Sequence, residues 1–367
     1  MNAIENCRTA ALGGHIDECE NCGHIKISYN SCRNRHCPKC QGLAREMWLK
    51  QQKRNLLPTH YFHIVFTIPD TVNQLALRNQ REVYSILFKA CSETLLELAL
   101  DKKYIGAKIG FISILHTWGQ NLMDHPHIHC IVPGGGLTPD ENNWTSSREK
   151  FFIPVKVISS LFKGKFLAHL KKSYNENKLK FDGAIEPLKL RYEFQTLIDK
   201  LYKKDWVVYC KPPFKGPEYV LEYLGRYTHR VAISNNRIVD IKGHKVTFKW
   251  RDYKDGNKDK LMTLDASEFI RRFLLHILPD NFVKIRHYGI LNNRNRRTKI
   301  KLCRKYLGIP DDEEQIPTQK ETWEEMLLGL AGVDMNVCPY CGIGKMMKRT
   351  NLSPRYYVPP DKKILIA

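Results

Sequence analysis

The chain has 367 residues and carries 59 Lys and Arg against 38 Asp and Glu, giving a formal net charge of +21. Apolar residues make up 43% of the chain, which excludes wholesale disorder and allows two or three domains with a sizeable core. The basic excess predicts a polyanionic partner, because Lys and Arg release the counterions condensed on phosphates. We expect no membrane partner, since no apolar run approaches the roughly 20 residues that span a bilayer. The segment from Met1 to Ala11 lacks the apolar core of a secretory signal, so we expect a cytoplasmic protein.

The first part of the chain, residues 7–44, is rich in cysteine and poor in aliphatic residues, so a metal is expected to replace a core there. C-x-x-C pairs in a reduced compartment indicate metal or redox sites, and zinc takes four sulfur or nitrogen ligands. The spacing favours one zinc on Cys19, Cys22, Cys37 and Cys40. A second zinc is the further option, with four other ligands: Cys7, His15, Cys32 and His36. The alternative is that Cys32 and His36 pack locally or contact DNA.

The middle of the chain alternates predicted helices and strands. Periodicity and breakers predict, in order, a basic helix (Ala44 to Leu57), a buried strand (Tyr61 to Ile68), a helical stretch (Val72 to Leu100) and two strands (Ile109 to His116 and His127 to Val132). After these come a helical region (residues 155–205), a short strand (Val207 to Cys210), a helix (Glu218 to Arg230), hairpins (Val231 to Trp250) and a helix (Ser267 to Leu278).

The strongest catalytic pattern is the histidine run that begins at Asp124. On a strand, residues i and i+2 point the same way, so His127 and His129 share a face while Ile128 takes the other. Two imidazoles on one face can converge on an ion, and the pattern therefore predicts a metal site. The alternative is a set of surface histidines on a polar strand face.

The second catalytic pattern lies on the predicted helix after Pro217, where Tyr223 and Tyr227 are four residues apart and share a face. A tyrosine hydroxyl becomes a useful nucleophile towards phosphodiesters when a metal polarises the phosphate. Arg226 and Arg230 lie beside them and could bind neighbouring phosphates or orient the tyrosines. The alternative for the tyrosines is an aromatic stripe on a core helix.

Several separate motifs resemble the two-tyrosine HUH transposases of the insertion sequence 91 family. They are Cys7 to Thr9, Gly13 to His15, Asn30 to Gln41, His116 to Gly119, His125 to His129 and Tyr223 to Arg230. The resemblance implies an α+β fold: an HUH nuclease core, which is an antiparallel sheet flanked by helices, preceded by a small zinc-binding domain. The corresponding boundaries are 1–45 for the zinc-binding domain, 46–290 for the nuclease and 291–367 for a basic tail. That tail carries Cys338 and Cys341, half a site that could pair with other ligands, close a site in a partner or do nothing.

The resemblance also implies a chemistry. His127 and His129 match the histidine pair of that family. Our own hypothesis is that they hold Mg²⁺ or Mn²⁺, with His116 on the neighbouring strand or Glu222 as the third ligand. Tyr223 and Tyr227 would cut single-stranded DNA at the ends of a mobile element, through 5′-phosphotyrosine intermediates, in rolling-circle-like transposition near the bacterial nucleoid.

Three rival functions remain open from the sequence. The first is a non-catalytic, zinc-dependent DNA-binding remnant, which would not need the tyrosines. The second is an HUH replication initiator or relaxase, whose chemistry is the same. The third is a zinc hydrolase built on the histidine run, which the lack of a nearby acidic general base disfavours.

Overall fold

The computed structural model describes residues 2–149, 152–211, 218–219, 221–222, 225, 232–253, 255–309, 322–332 and 334–354. The α-helices are α1 (Asn2–Glu5), α2 (Pro38–Arg54), α3 (Asn73–Arg78), α4 (Gln80–Leu100), α5 (Val155–Asn175), α6 (Arg191–Lys203), α7 (Ala266–Leu275), α8 (Arg296–Tyr306) and α9 (Trp323–Ala331). The strands are β1 (Gly14–Cys19), β2 (Ile25–Tyr29), β3 (Tyr61–Thr67), β4 (Gly110–Trp118), β5 (Asp124–Pro133), β6 (Gly135–Leu137), β7 (Trp144–Ser146), β8 (Val208–Lys211), β9 (Ile238–Lys242), β10 (Lys245–Asp252), β11 (Lys258–Asp265), β12 (Ile285–Gly289) and β13 (Met346–Leu352). None of the helices in these ranges has both the length and the hydropathy needed to cross a bilayer.

The chain divides into two compact units. The terminal unit contains Met1–Lys50 and Asp312–Ala367, and the central unit contains Gln51–Asp311. This differs from the predicted separate tail after residue 290, because β13 near the C-terminus pairs antiparallel with β1 near the N-terminus. Most of the predicted tail thus lies in the same unit as the predicted zinc-binding domain.

The central unit contains a five-stranded sheet in the order β12-β4-β5-β3-β8, with every neighbouring pair antiparallel. A smaller sheet, β11-β10-β9, packs against α7 through Phe248 and Phe269. This mixture of helices and antiparallel sheet confirms the predicted α+β class.

The two faces of the five-stranded sheet differ in chemistry. The alternate residues Ile64 and Phe66 of β3 and Ile128 and Cys130 of β5 are buried in one core with the apolar sides of α4, α5 and α6. Because side chains alternate along a strand, the residues between them point to the opposite face. We call that second surface the histidine face, since His127 and His129 lie on it.

Candidate metal centre and zinc clusters

Three histidines converge on the histidine face of the central sheet. His127 and His129 lie on β5, and His116 on β4 is the direct cross-strand partner of His127. One ring nitrogen from each of the three lies within 4.8 Å of the others. The sequence left His116 and Glu222 open as third ligand, and the structure brings His116 to the pair. The carboxylate of Glu222 instead lies 3.8 Å from the Nζ atom of Lys53.

The electrostatics of this cluster keep the rings neutral. Burial lowers the pKa of His127 to about 3, and it lowers the pKa values of His116 and His129 well below their usual range. A neutral imidazole has a nitrogen lone pair to give, so burial prepares the three rings for a metal ion. The Nδ1 atom of His127 donates to the carbonyl oxygen of His125 at 2.6 Å, which leaves Nε2 as its ligand atom.

A fourth histidine, His63 on β3, was not among the predicted site residues. Its Nε2 atom lies 2.7 Å from Nδ1 of His129, and the two rings stack with centroids 5.0 Å apart. Burial, and then the charge of Lys211, lower the pKa of His63 to about 4. The sequence did contain a signal for this residue. His63 is a polar residue among the apolar residues of β3, and it points to the face opposite Ile64, which is the histidine face.

An acidic side chain lies at the beginning of β5. Neither carboxylate oxygen of Asp124 has a hydrogen-bond partner among the described residues, and burial raises the pKa of this group to about 7. The side-chain amide of Asn73 donates to the carbonyl oxygen of Asp124 at 2.8 Å and so fixes the local backbone.

The predicted nucleophiles Tyr223 and Tyr227, with Arg226 and Arg230, lie outside the described residues. The described positions just before and among them, residues 218, 219, 221, 222 and 225, are helical. Leu221 is fully buried and lines a small cavity together with Ile112 and Ile131. Ile131 is two residues from His129 on β5 and pairs with Ile112 on β4, so Leu221 lies against the histidine face.

In the terminal unit, eight cysteines form two groups of four, but not in the predicted sets. The first group is Cys7, Cys32, Cys37 and Cys40, and the second is Cys19, Cys22, Cys338 and Cys341. The predicted set of Cys19, Cys22, Cys37 and Cys40 is therefore wrong, since its two C-x-x-C pairs belong to different groups. The predicted second set is also wrong, because its two cysteines join Cys37 and Cys40 rather than the two histidines.

The histidines of that second predicted set have other contacts. The Nε2 atom of His15 lies 3.3 Å from a carboxylate oxygen of Asp17, and the main-chain N–H of His36 donates to Oδ1 of Asn34 at 2.8 Å. The sequence could not show the right grouping, because it depends on β13 pairing with β1 from the far end of the chain.

The sulfur geometry of both groups fits zinc. Sulfur–sulfur distances include 3.5 Å for Cys7 and Cys40 in the first group and 3.8 Å for Cys22 and Cys338 in the second. A tetrahedral site with zinc–sulfur bonds of about 2.3 Å has edges of about 3.8 Å. Main-chain N–H groups of Ile343 and Gly344 lower the pKa of Cys341 to about 6, favouring the thiolate that a metal needs.

The fold and these clusters define an α+β protein with three clustered histidines and a cysteine-rich unit. Sequence comparison identifies its family. Residues 1–68 match the family "Transposase zinc-binding domain", and residues 110–299 match the family "Putative transposase". The chain is 50% identical to "Putative transposase y4qJ" of Sinorhizobium fredii over 351 residues, which are 95% of this chain and 87% of that protein.

A second relative is more distant. The "Transposase for insertion sequence element IS801" of Pseudomonas savastanoi pv. phaseolicola is 28% identical over 347 residues, 92% of this chain and 79% of that protein. The chain therefore belongs to the insertion sequence 91 family of DNA transposases, as the motifs predicted. Among solved structures, a conjugative relaxase TrwC in complex with oriT DNA in a metal-bound form aligns over 46% of this chain and 71% of that one. Its identity is 13% and its TM-score 0.26, which is too low to establish a shared fold.

Proposed function

We propose that this transposase nicks and rejoins single-stranded DNA at the ends of its element through 5′-phosphotyrosine intermediates. The observation that carries the proposal is the cluster of His116, His127 and His129, whose ligand atoms lie within 4.8 Å of one another on one sheet face. Three neutral imidazoles in that arrangement are a metal-binding set that a purely DNA-binding remnant would not need.

The residues fit a divalent ion, and we assign His116, His127 and His129 as its ligands, with Mg²⁺ or Mn²⁺ as the ion. When bound, the ion supplies Lewis-acid polarisation of the scissile phosphate. His63 holds the ring of His129 through its hydrogen bond at 2.7 Å, and the carbonyl of His125 holds His127.

The nucleophiles in this proposal are Tyr223 and Tyr227. The phenol oxygen of one tyrosine forms a bond to the phosphorus, and the bond from phosphorus to the 3′ oxygen breaks. The phenol proton leaves, and the 3′ oxygen gains a proton to become the free hydroxyl. Leu221 supports this assignment, because it is buried against the histidine face only two residues before Tyr223.

The second tyrosine permits a second cut while the first strand end is still covalently held, as moving a DNA segment requires. Arg226 and Arg230 would bind phosphates beside the scissile bond. In the terminal unit, we assign a structural zinc to Cys7, Cys32, Cys37 and Cys40, because four thiolates leave no open coordination position for catalysis.

The test is a denaturing gel after incubation with Mn²⁺ and labelled single-stranded oligonucleotides from the element ends. The wild type should leave a protein–DNA band that survives denaturation, and the double variant Tyr223→Phe with Tyr227→Phe should leave none while still binding DNA. Tyr219→Phe is the matched control, since Tyr219 is an exposed tyrosine of the same segment, and it should keep the band. A band in the double variant would refute the nucleophile assignment, and no band in the wild type would favour the non-catalytic remnant.

A further inference from the structure

We propose that Cys19, Cys22, Cys338 and Cys341 bind a second zinc ion that fastens the C-terminal strand into the N-terminal zinc-binding domain. The family match to that domain covers residues 1–68, so two of the four ligands lie far outside it. All four sulfur atoms lie within 4.8 Å of one another. Two of the contacts that cross between the ends of the chain are 3.7 Å, from Cys19 to Cys341, and 3.8 Å, from Cys22 to Cys338.

The two halves of the site have the same local geometry. Each is a C-x-x-C-G turn whose glycine has positive φ, +71° at Gly23 and +72° at Gly342. Each glycine N–H donates to the carbonyl of the first cysteine of its turn, at 3.0 Å in one half and 2.9 Å in the other. Such turns present two sulfurs to one ion, and a pair of them facing each other supplies a complete tetrahedral set.

The backbone around the second turn is also shaped to receive sulfur. The N–H of Tyr340 lies 3.4 Å from the sulfur of Cys338, and the N–H of Gly344 lies 3.4 Å from the sulfur of Cys341. A Cβ atom at Gly344 would lie 2.3 Å from the sulfur of Cys19, so only glycine permits this approach. N–H groups directed at sulfur stabilise thiolate, which is the form that binds zinc.

Among the described residues, the two ends of the chain also meet outside the sulfur cluster, through strand pairing and side-chain contacts. The strands β1 and β13 pair from Gly14 with Leu352 to Cys19 with Met346, and Arg349 lies 2.8 Å from the carboxylate of Glu18. The rings of His24 and Tyr340 stack with centroids 5.3 Å apart. Much of this small sheet is exposed, with Ile25 and Ile27 among its solvent-facing residues. With so little core, a metal is the expected source of its stability.

The first test counts zinc by elemental mass spectrometry in the purified full-length protein. Every form, including the one called wild type in this count, carries His127→Gln, because the intact three-histidine cluster can also bind zinc. The wild type should hold two zinc ions per chain, and Cys338→Ser with Cys341→Ser should hold one. Cys37→Ser with Cys40→Ser should also hold one, from the other group. Cys210→Ser is the matched control, because Cys210 is a half-buried cysteine of β8 that belongs to neither group, and it should retain two.

A second measurement does not depend on how the variants fold. Cys22 is exposed, so as a free thiol it should react quickly with iodoacetamide in the native wild type. As a zinc ligand it should react slowly, and removal of zinc with a chelator should accelerate its labelling at least tenfold. The labelling of Cys210 in the central unit should change little and serves as the reference.

Three results would overturn the proposal. They are a single zinc in the wild type, two zinc ions retained after loss of Cys338 and Cys341, and recovery of Cys19 and Cys341 as a disulfide from protein purified under reducing conditions. Equally rapid labelling of Cys22 before and after chelation would have the same meaning. None of these readouts uses DNA cleavage, so the nuclease proposal and the second zinc site can fail separately.

Discussion

The contact between His63 and His129 predicts a specific loss of metal affinity. Outer hydrogen bonds fix the tautomer and orientation of a ligand ring, and their removal costs about 10- to 100-fold in affinity. Replacing His63 with Ala removes the partner 2.7 Å from Nδ1 of His129, so Mn²⁺ should bind the variant about tenfold more weakly in calorimetry. His63→Gln can return a hydrogen-bonding group near the position of Nε2 and should recover part of the affinity. Equal affinities for wild type and Ala variant would refute this positioning role.

Asp124 predicts a loss of stability as the pH rises through neutrality, which replacement by Asn should remove. Burial raises its pKa from 3.8 to about 7, so the folded state binds a proton more tightly than the unfolded state. Its contribution is therefore most favourable below the unfolded pKa and is lost as pH rises through the folded pKa. From pH 5.5 to pH 8 this loss amounts to about 2 kcal/mol, and Asp124→Asn should escape it.

Urea unfolding at the two pH values measures this effect. The difference in the free energy of unfolding between variant and wild type should change between pH 5.5 and pH 8. The amide has its own burial cost, but that cost is the same at both pH values and cancels. Asp205→Asn, at an exposed aspartate, is the control and should show little change. A difference for Asp124→Asn that stays constant with pH would show that the carboxyl is not desolvated.

The sequence predicted those histidines of the cluster whose arrangement follows from their spacing along one strand. The i, i+2 pair of His127 and His129 was visible because a strand puts alternate residues on one face. His116 entered only as an alternative, since choosing it requires the cross-strand register that pairs it with His127. His63 was missed because its partner lies 66 residues away and its own strand reads as core.

In β5, residues that stabilise the fold alternate with residues that we propose as metal ligands. Ile128 is fully buried in the core between the sheet and the helices, so Ile128→Ala should lower the free energy of unfolding by about 2–5 kcal/mol. His127→Gln, one position earlier on the opposite face, should change stability by less than about 1 kcal/mol. It should, however, abolish Mn²⁺ binding.

Denaturant unfolding and Mn²⁺ titration of these two variants test the separation. Metal binding should survive in Ile128→Ala at temperatures where that variant is folded. The expectation fails if the core substitution abolishes metal binding in the folded protein, or if His127→Gln binds Mn²⁺ as the wild type does.

The positions of strands along the chain could be predicted more accurately than the pairing between distant segments. The strands β3, β4 and β5 were expected within a few residues of their bounds, because β-branched and aromatic runs favour strands. The sequence also showed that Cys338 and Cys341 form a pair, but it left their partners open. Their partners depend on the register of β1 with β13, which joins segments more than 300 residues apart along the chain.

For the whole molecule, charge rather than any one contact should dominate DNA affinity. A net charge of +21 favours phosphate binding by release of counterions, so affinity should fall linearly with salt on logarithmic axes. On single-stranded DNA the slope is about −0.7 for each phosphate neutralised, so contact with roughly six phosphates predicts a slope of about −4. Fluorescence anisotropy with a labelled oligonucleotide, across a series of NaCl concentrations and without divalent metal, measures it.

The same titration separates binding from chemistry. Without divalent metal, His127→Gln should give the same slope as the wild type, because a neutral imidazole neutralises no phosphate. It should nevertheless form no covalent adduct when Mn²⁺ is restored. A slope near zero in the wild type would mean that the excess of Lys and Arg does not face the DNA. A shallower slope in His127→Gln alone would mean that the histidine cluster contacts phosphate directly, in a charged form that its burial disfavours.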